Sequence, residues 1–74
     1  MREQIKEILK QVFKIDHIKD NLSQKNCDKW DSLNHLNLII ALEQRFDVSF
    51  EPEDIVEMNS LDLIEKKIAL KLLA

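Results

Sequence analysis

The sequence predicts a small all-α protein, and this prediction rests on its composition and its length. The chain has 74 residues with no Gly, no Tyr and one Pro, so it lacks the residues that form tight hairpin turns. A chain of this length buries only roughly 60% of its unfolded surface, which leaves little room for a deep enzyme cleft. We therefore expect one domain over residues 1–74, folded as a small four-helix bundle with a long first loop and a short third helix.

The first helix is predicted over residues 2–14, where apolar residues recur at helical spacing on one face. These residues are Ile5, Ile8, Leu9 and Val12. A long polar loop over 16–29 follows, and loops of this length in compact domains are usually functional or held in place by side chains. The side chains expected to hold this loop against the core are Ile15, Ile18, Leu22 and Trp30.

The second helix is predicted over residues 32–45. Its apolar residues cover well over half of its circumference, which indicates a helix buried at the centre of the protein. We therefore expect truncation of Leu36 or Phe46 to alanine to cost about 2–5 kcal/mol of stability. The core predicted from the sequence comprises Leu36, Ile39, Ile40, Phe46, Ile55, Met58, Leu61 and Ile64.

Two further helices are predicted after an extended connector over 46–50, where apolar and polar residues alternate. A lone strand without a partner is not stable, so the connector is not assigned to a sheet. Its inward-pointing residues are expected to be Phe46, Val48 and Phe50. A short helix over 52–58 is predicted because Pro52 suits the first helical position, and Ser60 caps a last helix over 61–72. The buried face of that last helix is expected to be Leu61, Ile64, Ile68 and Leu72.

Several classes of protein are disfavoured by the same sequence. The lone Cys27 has no partner for an internal disulfide, and no apolar run is long enough for a signal sequence or a membrane span. We therefore expect a cytoplasmic monomer. No metal site is predicted, because residues 28–31 lack the ligand spacing and the central Gly of a calcium loop. No nucleic-acid binding is predicted, because the helix headed by Ser32 has Arg45 as its only basic residue.

The negative charge of the chain is concentrated in one stretch. The net charge of the whole chain is −3, whereas residues 43–57 hold six acidic residues against Arg45 alone, a net charge of −5. An acidic stretch repels nucleic acid and attracts basic protein surfaces. We therefore expect basic protein partners.

The segment Trp30-Asp31-Ser32-Leu33 carries the strongest functional signal. It places a serine hydroxyl at the start of an apolar helix, where unpaired backbone N–H groups and the positive end of the helix dipole favour a phosphate. Ser32 is therefore a candidate attachment site for a phosphate-linked group. The alternative is simple capping, since Asp and Ser are both among the preferred N-cap residues.

The segment over residues 31–46 closely resembles the Asp-Ser-Leu helix of acyl carrier proteins, and the order of helices matches that family over essentially the whole chain. The residues of the resemblance are Asp31, Ser32, Leu33, Leu36, Ile40, Ala41-Leu42-Glu43 and Phe46. The resemblance implies that a phosphopantetheinyl transferase attaches 4′-phosphopantetheine from coenzyme A to Ser32, with Asp31 as a supporting motif residue. The thiol would then carry an acyl group as a thioester to acyl-loading, acyl-transfer or synthase enzymes. In this family the protein itself catalyses nothing, and the space among its last three helices can shelter an acyl chain.

Two departures from the commonest pattern narrow the resemblance. Fatty-acid carriers commonly have acidic residues where this chain has Asn34 and Asn37. The Trp-Asp-Ser-Leu-x-His pattern, from Trp30 to His35, is similar to discrete carriers of polyketide, surface-polysaccharide or lipid-modifying pathways. An aminoacyl carrier is an alternative, although the Gly-Gly that usually precedes Asp31 in peptidyl carriers is missing. An unmodified helical adaptor of carrier descent is the other alternative.

The surface expected to dock partners follows the serine along the chain. It combines apolar and acidic residues, so docking is expected to be weak and sensitive to salt. The predicted docking residues are Leu33, Ile40, Glu43, Asp47, Glu53, Asp54, Val56 and Glu57. For Asn34 and His35 two interpretations stay open, one facing the transferase or a partner and one on a solvated helix surface.

Overall fold

A computed structural model describes residues 1–73, which form four α-helices and one short 3-10 turn. The helices are α1 (Arg2–Phe13), α2 (Ser32–Phe46), α3 (Pro52–Glu57) and α4 (Leu61–Leu73), and the 3-10 turn is Gln24–Asn26. The described residues contain no strand, only one isolated bridge. The predicted all-α class, the long first loop and the short third helix are therefore confirmed.

Helix α1 packs against both α2 and α4. Its predicted apolar face is confirmed by Ile5, Ile8 and Leu9, while Phe13 is buried in addition and Val12 is only half-buried. The last residue of α1 is Phe13, and the next residue, Lys14, adopts the left-handed conformation at φ 57°, so that the N–H of Ile15 also donates to the carbonyl of Lys10. The other end of α1 is tied to α4, because the Arg2 guanidinium binds Asp62 and Glu65.

Helix α2 is buried on one side only. Leu38, Ile39 and Leu42 lie in the core, whereas Leu36 and Ile40 are 54% and 53% exposed. The prediction that Leu36 and Ile40 are core residues is therefore wrong. The physical reason is that α1 covers one side of α2, while the six-residue α3 leaves the other side open.

One continuous apolar core lies between the helices. The predicted core residues Ile39, Met58, Leu61 and Ile64 are buried, and Phe46 and Ile55 are half-buried against them. Leu72 was expected on the buried face of α4 but is 49% exposed, because the buried side of that helix ends at Ile68. The complete set of buried residues is Ile5, Ile8, Leu9, Phe13, Ile18, Leu22, Trp30, Leu38, Ile39, Leu42, Phe50, Met58, Leu61, Ile64 and Ile68.

The long loop between α1 and α2 is held in two ways. Its predicted anchors Ile18, Leu22 and Trp30 are buried, and Ile15 packs half-buried against the core. The loop is also joined by backbone hydrogen bonds to the start of α4, where Gln24 N–H donates to Asn59 O and Leu61 N–H to Leu22 O, each at 2.9 Å. No sequence pattern predicted this second attachment.

The extended connector between α2 and α3 points its apolar residues inward, as predicted. Phe50 is buried, and Phe46 and Val48 are half-buried. Asp47, at the end of α2, adopts the left-handed conformation at φ 54° and donates its N–H to Glu43 O. This turn redirects the chain from α2 into the connector. Within residues 1–73 no helix is long and apolar enough to span a membrane.

The one-sided burial of α2 predicts a large effect on stability for one leucine of this helix and a small effect for another. Leu42→Ala is expected to lower the free energy of unfolding by about 2–5 kcal/mol, because it leaves a cavity in the core. Leu36→Ala is expected to change it by less than about 0.5 kcal/mol, because the side chain is mostly exposed. Urea unfolding measures both values, and equal costs at the two positions would contradict the one-sided packing.

Candidate functional site at the start of helix α2

Ser32 is the first residue of α2, and its side chain is exposed. The residue before it makes the helix cap, since Asp31 Oδ1 accepts a hydrogen bond from Asn34 N–H at 2.8 Å. The backbone carbonyl of Asp31 accepts from His35 N–H, also at 2.8 Å. Simple capping therefore explains Asp31 but not Ser32, whose hydroxyl is not the capping group.

The environment of the Ser32 hydroxyl suits an attached phosphate. The first N–H groups of a helix lack an acceptor within the helix, and the helix dipole places partial positive charge at this end. The first turn of α2 contains no acidic side chain, and the carboxylate of Asp31 just before it already engages the N–H of Asn34. An anionic group on Ser32 would lie beside these N–H groups without any rearrangement of the backbone.

Asn34 supports the loop that leads into the serine. Its Nδ2 donates to the carbonyl of Lys29 at 2.8 Å, which ties the end of the loop to the first turn of α2. The side chain is half-buried rather than fully solvated. Asn37, which is exposed, donates to Asn34 Oδ1 at the longer distance of 3.4 Å.

The buried Trp30 is connected to α3 through His35. The indole Nε1 of Trp30 donates to His35 Nδ1 at 2.9 Å, and His35 Nε2 lies 2.8 Å from the carbonyl oxygen of Ile55. We call this arrangement of Trp30, His35 and Ile55 the His35 bridge. Trp30 also packs on Phe13, with ring centroids 5.3 Å apart, so its predicted packing role is confirmed. His35 joins three parts of the structure, a role that neither interpretation from the sequence included.

An apolar face lies exposed on α2, beginning next to Ser32. Leu33, Leu36 and Ile40 are each more than half exposed and follow one another at helical spacing. Leu33 and Ile40 were predicted for docking, although Ile40 was also assigned to the core, whereas Leu36 was assigned to the core alone. Val56, 76% exposed, lines a separate groove of about 540 Å³ between α3 and α4, together with Leu63 and Leu70 among others.

The acidic residues predicted for docking have three different surroundings. Asp47 and Glu53 are exposed, whereas Glu43 Oε2 accepts from Phe50 N–H at 2.9 Å and so holds the connector. Asp54 and Glu57 are paired with α4. Lys67 Nζ lies 3.0 Å from Asp54 Oδ1 and 3.2 Å from Glu57 Oε1, and Lys71 Nζ lies 3.1 Å from Asp54 Oδ2. The charge of −5 along residues 43–57 is thus partly neutralised by lysines that are distant in sequence.

The pKa of Asp54 is lowered from its ordinary value of 3.8 to about 2. The largest cause is the hydrogen bond from Glu51 N–H at 3.0 Å, followed by the bonds from Lys67 and Lys71. The hydrogen bond with Asp54 in turn raises the pKa of Lys67. The charged form of Asp54 therefore caps the start of α3 through Glu51 N–H and also pairs with Lys67 and Lys71 of α4.

No family model matches the chain, and no curated protein matches it. Among solved structures, the solution NMR structure of a holo acyl carrier protein from Geobacter metallireducens is 34% identical, and the match covers 96% of this chain and 88% of that one. The two structures superpose with a TM-score of 0.75. The chain belongs to the acyl carrier protein family.

This is the family that the segment over residues 31–46 resembles. The match also confirms the expected fold of acyl-carrier type. Among the described residues, no group of three His, Cys, Asp or Glu side chains is placed to hold a metal ion. The lone Cys27 is half-buried against the core.

The lowered pKa of Asp54 predicts how acid weakens the contact between α3 and α4. Its contribution to stability is complete above about pH 3.8 and is lost as the pH falls through about 2. Asp54→Asn should therefore be less stable than the wild type at neutral pH, and the difference should shrink toward zero in strong acid. Urea unfolding across this pH range measures it, with the exposed Glu53→Gln as control. A difference that does not depend on pH would contradict the prediction.

Proposed function

We propose that residues 1–74 act as one acyl carrier domain, which carries acyl groups as thioesters on 4′-phosphopantetheine attached to Ser32. The observation that carries this proposal is the exposed Ser32 hydroxyl at the start of α2, left free of the capping role by Asp31, in a member of the acyl carrier protein family. The similar solved structure is described as a holo acyl carrier protein, which supports the same cofactor here. In this proposal the chain itself catalyses no reaction.

Attachment of the cofactor requires a separate phosphopantetheinyl transferase and coenzyme A. Ser32 Oγ loses its proton and forms a bond to the phosphorus that carries the pantetheine, the P–O–P bond of coenzyme A breaks, and adenosine 3′,5′-bisphosphate leaves. An exposed serine allows the transferase to reach the hydroxyl, and the helix N-terminus then stabilises the phosphodiester. The long arm can swing because its point of attachment lies outside the core.

We infer that partner enzymes contact the apolar face of α2 and that the exposed acidic residues guide their approach. Burying a leucine or isoleucine side chain contributes about 1.5–3 kcal/mol, whereas an exposed ion pair contributes about 0–1 kcal/mol and is screened over roughly 8 Å. Leu33, Leu36 and Ile40 therefore outweigh Asp47 and Glu53 in affinity. Partners of this acyl carrier would combine an apolar surface next to their active site with basic residues farther away.

The attachment site is tested by loading the protein with a broad-specificity transferase and coenzyme A. Wild type should gain the mass of one phosphopantetheinyl group, and Ser32→Ala should gain none. Ser49→Ala is the matched control, because Ser49 is also exposed but lies outside the motif, and it should load as the wild type does. Intact mass spectrometry measures the outcome. No gain in the wild type, or a gain in Ser32→Ala, would refute the proposed site.

The ranking of apolar and charged contacts is tested with two surface variants. Leu36→Gln should raise the KM of the transferase about tenfold or more, because 1.4 kcal/mol corresponds to a factor of about 10. Glu53→Lys should raise it less than about fivefold, and only at low salt. Both variants should keep the helical circular dichroism of the wild type. A larger effect of Glu53→Lys would show that charge dominates docking.

A further inference from the structure

The imidazole of His35 is hydrogen-bonded on both nitrogens, and the partners determine which nitrogen carries the proton. The indole N–H of Trp30 is only a donor, so His35 Nδ1 must accept and carries no hydrogen. The carbonyl of Ile55 is only an acceptor, so His35 Nε2 must donate. The His35 bridge therefore requires the neutral ring with its proton on Nε2.

The bridge encloses the attachment serine. Trp30 lies two residues before Ser32 and His35 lies three residues after it, so the bond between their rings spans the turn that carries the hydroxyl. The other nitrogen of the same ring holds the carbonyl of Ile55, the fourth residue of α3. One side chain thus links the Ser32 turn to the neighbouring helix.

Helix α3 needs such contacts because it has only six residues. Helices this short are not stable alone in water, so the surrounding contacts determine where α3 lies. On one side Asp54 is bound by Lys67 and Lys71 of α4, and on the other side the carbonyl of Ile55 is bound by His35. The bridge is therefore the side-chain hydrogen bond that fixes α3 relative to α2.

We propose that His35 is a positioning residue whose neutral form holds α3 in register with the Ser32 turn. Protonation adds a hydrogen to Nδ1, which then faces the indole N–H of Trp30, two donors with no acceptor between them. Acid therefore breaks the bond to Trp30 and leaves the bond to Ile55, which uncouples α3 from the loop before Ser32. The consequence for docking rests on the proposed carrier function, whereas the bridge itself does not.

His35 is the only ionisable group in the bridge, since both partners of its ring are uncharged. The charged residues on the elements around the ring are Asp28, Lys29 and Asp31 before and at the start of α2, and Glu51, Glu53, Asp54 and Glu57 at α3. His17, exposed in the loop, is the other histidine and serves as the control.

Fluorescence tests the link between the two rings directly, because Trp30 is the only Trp and the chain has no Tyr. As the solution is acidified, the emission of Trp30 should change with a single-proton transition in the wild type and in His17→Gln. In His35→Phe this transition should be lost. A transition that persists in His35→Phe, or that disappears in His17→Gln, would overturn the bridge.

Nitrogen NMR of the histidine rings tests the protonation state. Near neutral pH the wild type should show His35 with its proton on Nε2 alone. Trp30→Phe keeps an aromatic ring against Phe13 but removes the indole donor, so the nitrogen resonance of His35 Nδ1 should shift to that of an acceptor without a donor, while Ile55 keeps the proton on Nε2. This second variant keeps the test decisive if His35→Phe does not fold. An Nδ1-protonated ring in the wild type, or no change in Trp30→Phe, would overturn the proposal.

Amide hydrogen exchange tests whether the bridge positions α3. In His35→Phe the N–H groups of Ile55 and Met58 should exchange about fivefold faster, the effect of one lost hydrogen bond, while those of Ile8 and Leu9 in α1 should not change. Equal acceleration in α1 and α3 would show only a global loss of stability and would refute a positioning role.

Loading by the transferase tests the consequence for docking. His35→Phe should raise the KM of the transferase for the carrier at least threefold relative to His17→Gln, with kcat unchanged. The reason is that α3 would no longer be held in its position relative to the Ser32 turn. Equal KM values would refute the consequence for docking. If the wild type never accepts phosphopantetheine, the carrier function fails, whereas the fluorescence and exchange results still decide the role of His35.

Discussion

The packing of one side of α2 against α1 determines most of the architecture. Leu38, Ile39 and Leu42 are buried there, and each such side chain contributes about 1.5–3 kcal/mol on burial. Once this side is fixed, the opposite side and the first turn of α2 remain outside the core. The exposure of Ser32 is thus a direct consequence of how the protein folds.

The second half of the protein depends on contacts from outside its own short helix. Helix α3 is too short to be stable alone, and it is held by ionised Asp54 on the α4 side and by neutral His35 on the α2 side. Both contacts depend on the charge of a side chain, because the ion pairs need ionised Asp54 and the His35 bridge needs the neutral ring. The position of α3 therefore depends on side chains of α2 and α4.

Local signals in the sequence predicted the helices, the Asp31 cap position and the loop anchors, because these depend on spacing and on residue type. The burial of Leu36 and Ile40 was predicted wrongly, since an apolar helix does not indicate which of its sides a neighbour covers. The acidic stretch was counted along the chain, which omits Lys67 and Lys71 of α4. Charge in the folded protein depends on residues brought together in space.

The role of His35 required the tertiary structure, although one sequence signal was present. A buried Trp needs an acceptor for its indole N–H, and His35 follows Trp30 five residues later in the motif. The carbonyl of Ile55, twenty residues farther along, has no signature in the sequence. Backbone acceptors become assignable only when the fold places them.

The most direct measurement is the intact mass of the protein purified from the cells that make it, with fragment masses to locate any added group. We expect the mass of the polypeptide plus phosphopantetheine on Ser32, with further mass in molecules that still hold their cargo. That further mass distinguishes an acyl from an aminoacyl group. An unmodified Ser32 in all molecules, under all growth conditions, would contradict the carrier function and favour an adaptor that uses only its docking face.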